Sequence, residues 1–92
     1  MPKFLAIHPV DPAADMDAVG PIARKCKAGH NLDAYWVKSW LQLSNGKEAR
    51  VFCEWDARDA DSVRATLESA IPELPPTEGV FEVTEIQGED FR

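Results

Sequence analysis

The sequence predicts an α+β fold, a ferredoxin-like β-α-β-β-α-β sandwich that pairs with a second copy as a dimeric α/β-barrel assembly. Three observations carry that expectation. The chain has 92 residues, far below the roughly 250 at which one hydrophobic core divides into two, so residues 1–92 form a single domain. Apolar residues make up 45% and charged residues 28%, the usage of a folded globular chain. Short β-favouring runs and two amphipathic stretches follow one another as strand, helix, strand, strand, helix, strand, which is the order of the split βαβ fold.

Lys3 to Pro9 is short, apolar and closed by Pro9 and Pro12, as a first strand and turn should be. Asp15 or Asp17 can cap the first helix, whose stripe is Val19, Ile22, Ala23 and Cys26. Arg24, Lys25 and Lys27 suit its C-terminal dipole and Gly29 ends it, while Pro21 places the start of the regular part near Gly20. Asp33 to Leu43 and Glu48 to Asp56 are rich in aromatic and β-favouring residues around Ser44-Asn45-Gly46, a hairpin pattern. Asp59 caps a second helix with Ala60, Val63, Leu67, Ala70 and Ile71 on one stripe, and Pro72 stops it. Pro72-Glu73-Leu74-Pro75-Pro76 makes a stiff loop, Gly79 follows, and Val80 to Ile86 is the last strand.

A three-residue hairpin loop with Gly46 in the left-handed position pairs Leu41 with Ala49, Ser39 with Val51, Val37 with Cys53 and Tyr35 with Trp55. With Leu5, Ile7, Phe81 and Val83 these residues form the face expected beneath the helices. The opposite face then reads Phe4, Ala6, His8, Trp36, Lys38, Trp40, Arg50, Phe52, Glu54, Glu82 and Thr84. Two Trp and two Phe are too apolar to leave in water on a chain this small. A second copy is the simplest cover, giving a homodimer with a central cleft.

Ten Lys and Arg against sixteen Asp and Glu give a net charge of −6. The first fifty residues carry seven bases and five acids, so +2; the remaining forty-two carry three and eleven, so −8. That field repels phosphate backbones, and no nucleic-acid partner is expected. No apolar run is long enough for a bilayer or a signal peptide, so no membrane partner is expected either. Cys26 and Cys53 lack the spacing of a disulfide framework or a structural zinc site, which fits a cytoplasmic protein.

The segments FLAIHPV, YWVKSW, VFCEWDARDADSVR and GVFEVTEI, with His8 on strand one and Cys53-Glu54 leading into Asp59-Ala60, resemble the nickel-binding, ferredoxin-like family of small bacterial proteins. The resemblance spans nearly the whole chain. It implies a homodimer that binds a divalent metal, nickel first, without catalytic activity of its own.

His8 is the first candidate ligand, because neutral imidazole suits nickel, copper and zinc. Glu82 is its expected neighbour within the chain, and Glu54 could join across a dimer. Phe4, Trp36, Lys38, Trp40, Arg50 and Phe52 are expected to line the pocket or the dimer face. His30 is expected to cap the first helix, and Cys26 and Cys53 to be inert core thiols. The alternative is a small-molecule-binding dimeric α/β barrel, a cofactor-free oxygenase or isomerase that holds an aromatic substrate with Trp36, Lys38, Trp40 and His8. A purely structural dimer is the third possibility. Nucleophile elbows, phosphate loops, dinucleotide fingerprints and zinc-protease motifs are absent from the sequence.

Overall fold

The computed structural model describes residues 1–11, 16–29, 31–42, 49–72 and 77–91. Its elements are β1 (Lys3–Val10), α1 (Met16–Ala28), β2 (Ala34–Leu41), β3 (Ala49–Ala57), α2 (Ala60–Ala70), β4 (Gly79–Val83) and a 3₁₀ turn at Gly88–Phe91. The strands form one antiparallel sheet in the order β2-β3-β1-β4, and both helices lie on the same side of it. This is the ferredoxin-like α+β fold. No helix is long and apolar enough to cross a membrane among the described residues.

Local chemistry sets the ends of the elements. Asp59 Oδ1 accepts hydrogen bonds at 2.7 Å from both the backbone N–H and the hydroxyl of Ser62, closing the first turn of α2. Those bonds, the hydroxyl's first, hold the Asp59 carboxyl below its ordinary range. The far end closes where Ile71 N–H donates to Leu67 O at 2.9 Å. The α1 helix starts at Met16, earlier than the onset expected near Gly20, with Pro21 inside it. The ring removes the N–H that would reach the Asp17 carbonyl and crowds that carbonyl, yet the helix runs through. The last strand stops at Val83 instead of Ile86, because Val83 pairs with Lys3, where β1 itself begins. The hairpin residues 43–48, the loop residues 73–76 and His30 lie outside the described residues.

The core joins Phe4 and Ala6 of β1, Ala34 of β2, Trp55 and Ala57 of β3, Val80 of β4, Cys26 of α1, and Val63, Leu67 and Ile71 of α2. Trp55 is completely buried, and alanines at 6, 34 and 57 leave room for its ring beneath the helices.

Strand parity differs from the expectation on three strands. On β1, Phe4 pairs with Trp55, Ala6 with Cys53 and His8 with Val51, so Phe4, Ala6 and His8 point toward the helices and Leu5 and Ile7 away. On β4, Val80 pairs with Ala6, and Glu82 with Phe4, while Phe81 pairs with Leu5; Phe81 and Val83 therefore leave the helix side. Both parities of β1 are apolar, so alternation alone does not choose between them, and a one-residue slip inverts the face. On β2 a β-bulge falls between Trp36 and Lys38. It puts Trp36 opposite Trp55 and Tyr35 opposite Asp56, while Ser39 pairs with Cys53 and Leu41 with Val51. Trp36 thus joins the helix side and Tyr35 the open side, the reverse of the expected placement. The extra residue of a bulge exchanges the faces before and after it.

Because Phe4 belongs to the core, Phe4→Ala is expected to cost about 3–5 kcal/mol in urea unfolding. Leu5→Ala, on the other face, is expected to cost the isolated chain clearly less. Equal losses would contradict the assigned parity of β1.

Candidate functional site

Three cross-strand rows organise the open face. One runs Tyr35, Asp56, Lys3 and Val83; the next runs Lys38, Glu54, Leu5 and Phe81; the third runs Trp40, Phe52, Ile7 and Gly79. Where Gly79 lacks a side chain, the ring of Phe81 folds over its Cα and would collide with any Cβ there. The third row is therefore an apolar band across all four strands. Its ends stand in solvent, with Trp40 51% and Phe81 52% exposed.

Charges gather on the other two rows. Lys3 Nζ donates to the Glu54 carboxylate and, at 3.0 Å, to Asp56 Oδ1. Those two bonds, Glu54's first, raise the pKa of Lys3 against an opposing effect of desolvation. Lys38 Nζ lies 3.9 Å from Glu54 Oε1 and 5.4 Å from the centroid of the Trp40 ring, within reach of a cation–π attraction. Arg50 Nε is held by both carboxylate oxygens of Glu78, at 2.8 and 3.1 Å. At the edge, Lys27 Nζ donates to Trp36 O at 2.8 Å and lies 3.6 Å from the Tyr35 ring centroid.

The helix side carries a second set of polar groups. His8 is 2% exposed. Trp36 Nε1 donates to Ser39 Oγ at 2.8 Å, a bond that straddles the bulge. Trp55 Nε1 is buried with no hydrogen-bond partner, which costs about 1–3 kcal/mol against the burial of its large ring. Asn31 Nδ2 donates to Thr66 Oγ1 at 3.0 Å and ties the start of β2 to α2. Burial raises both thiols, Cys26 to about 12, where the nearby Cys53 adds to the effect. A hydrogen bond with Ser39 partly offsets the rise at Cys53. Protonated, buried thiols are poor nucleophiles.

The expected site residues therefore divide between two faces. Lys38, Trp40, Arg50, Phe52 and Glu54 lie on the open face. His8, Phe4 and Trp36 lie beneath the helices, and Glu82 stands on that side at the β4 edge, exposed. His8 and Glu54 project from opposite sides of the sheet, and Glu54 is occupied by Lys3. Among the described residues no three His, Cys, Asp or Glu side chains are grouped to hold a metal ion. Sequence reasoning did not place Tyr35, Leu5, Ile7, Phe81 and Val83 on the open face. The last four move together, because Leu5 pairs with Phe81 and the parity of β1 fixes that of β4; no signal in the sequence chooses that parity, since both faces of β1 are apolar.

No protein-family model matches this chain, and no curated protein does. Among solved structures it is similar to SCO4226 from Streptomyces coelicolor A3(2), with a TM-score of 0.74 and 15% identity over 92% of this chain and 99% of that one. It is also similar to SnoaB, a cofactor-independent oxygenase from Streptomyces nogalater, with a TM-score of 0.60 and 14% identity over 96% of this chain and 99% of that one. These likenesses establish the fold.

The Cys26 thiol stays protonated in the fold after an unfolded chain would have ionised it. Its burial thus favours the native state fully below about pH 9, and that advantage is lost as pH rises toward about 12. Denaturation midpoints are expected to fall more steeply with pH across this window in the wild type than in Cys26→Ala. Parallel slopes would contradict the buried-thiol assignment.

Proposed function

We propose that this chain is a cytoplasmic, homodimeric α/β barrel that binds a planar small molecule between two open sheet faces. The observation that carries this reading is the apolar band of Trp40, Phe52, Ile7 and Phe81 across the four strands. A small monomer seldom leaves a contiguous aromatic patch in water, and partner-facing surfaces are enriched in such residues. Two bands facing one another give flat apolar walls, and a ring can lie against Trp40 and Phe52 at little conformational cost. Beside them the ammonium of Lys38 can take the anionic oxygen of a carboxylate or an enolate. Similarity in fold to a cofactor-independent oxygenase is consistent with a small-molecule site, and an oxygenase or isomerase activity is the enzymatic form of the same proposal. No residue of this chain is assigned a catalytic role.

Nickel binding rests on the family resemblance alone. The residues expected to hold the metal, His8, Glu82 and Glu54, do not converge within the chain. Small-molecule binding is therefore the better-supported reading.

The test uses N-phenyl-1-naphthylamine, a flat neutral probe that fluoresces in apolar sites. Wild-type protein is expected to bind it, and Trp40→Ala to bind roughly tenfold more weakly with an unchanged circular dichroism spectrum. No binding by the wild type, or equal binding by the variant, would overturn the assignment. A parallel dialysis against nickel is expected to leave equal metal on wild type and His8→Ala. Stoichiometric nickel that is lost with His8 would favour the metal-binding reading instead.

A further inference from the structure

Residues 84–91 follow β4 as a run in which every side chain is exposed. It is nevertheless shaped: Gly88–Phe91 forms a 3₁₀ turn, and Asp90 N–H donates to Gln87 O at 3.1 Å. Two large apolar side chains stand on it, Ile86 at 76% and Phe91 at 75% exposure, and Glu85, Glu89 and Asp90 make it acidic. At the opposite edge of the sheet is a groove of about 580 Å³ lined by Met1, Asn31, Leu32, Tyr35 and Asp56. Leu32 is 96% exposed there. The last turn of α1 brings Lys27 to that corner, against the Tyr35 ring. One feature is an acidic arm with two unburied apolar groups. The other is a largely apolar groove bordered by Lys27, its one carboxylate, Asp56, being held by Lys3.

Both lie at the same end of the strands, because Tyr35, Asp56, Lys3 and Val83 form one row. Three strand spacings separate β4 from β2, about 14 Å. The three residues from Val83 to Ile86 reach about 10 Å when fully extended, so Ile86 falls short of Tyr35 on the far strand of its own sheet, and it stands exposed. A two-fold axis parallel to the strands, set between two open faces, places the partner's β4 over β2 with the same ends together. The arm of each copy then begins beside the other's groove, and the contact is reciprocal, as a two-fold interface requires.

We propose that residues 84–91 are an exchanged arm, which lies in the partner's groove with Ile86 and Phe91 against the partner's Leu32 and the partner's Tyr35. The arm closes one end of the barrel, so each ligand site is completed by a segment of the other copy. This inference rests on the homodimer proposed above.

The test is a full-length double variant, Leu32→Cys with Ile86→Cys, mildly oxidised and run on a non-reducing gel, beside sedimentation of wild type and of Ile86→Asp with Phe91→Asp. The expected result is a covalent dimer that needs both new cysteines, together with a dimer dissociation constant raised about tenfold or more by the aspartates. A wild-type dimer that gives no cross-link, or one closed within a single chain, would overturn arm exchange and leave the dimer standing. A wild type that sediments as a monomer would overturn both.

Discussion

The pairing of Phe4 with Trp55 on the two central strands is the constraint on which the rest of the molecule depends. Trp55 is the largest fully buried side chain among the described residues and can lie only on the side shielded by the helices. Whatever stands opposite it on β1 must lie there too, which takes Phe4, Ala6 and His8 inward and turns Leu5 and Ile7 out. The same choice passes through β1 to β4, burying Val80 and exposing Phe81. On the other flank, the bulge of β2 lets Trp36 follow Trp55 inward while Trp40 remains outside. The two faces of the sheet, and with them the two sets of candidate functional groups, follow from that one row.

Much of this was legible in the chain itself. The order of elements, the capping of α2 by Asp59, the buried stripe of Val63 and Leu67 and the inward face of β3 could all be read from spacing, because each has a single amphipathic solution. The parity of β1 was not legible, since Phe4, Ala6 and His8 are nearly as apolar as Leu5 and Ile7. Nor was the bulge between Trp36 and Lys38, which no glycine or proline announces. A slip of one residue on a strand that is apolar on both sides costs the sequence pattern little, yet it inverts the site. Hence spacing puts Lys38, Trp40, Phe52, Arg50 and Glu54 on the open face, where the structure has them, whereas His8, Phe4 and Trp36, expected on that face, lie beneath the helices.

The division bears directly on chemistry. The helix side offers two thiols that burial raises, Cys26 to about 12, and an indole N–H without an acceptor. The open side offers flat aromatic surface beside a lysine whose carboxylate neighbour is already held by Lys3. A site for flat, partly anionic molecules draws on the second set. In the proposed assembly the helices cover one side of each sheet and a second copy covers the other.

That assembly is most directly tested by small-angle X-ray scattering on the purified chain at micromolar concentration. The account predicts a particle of twice 10.2 kDa with a radius of gyration clearly above the 13.7 Å of a single chain. A particle of 10.2 kDa, folded and with a radius near 13.7 Å, would contradict it.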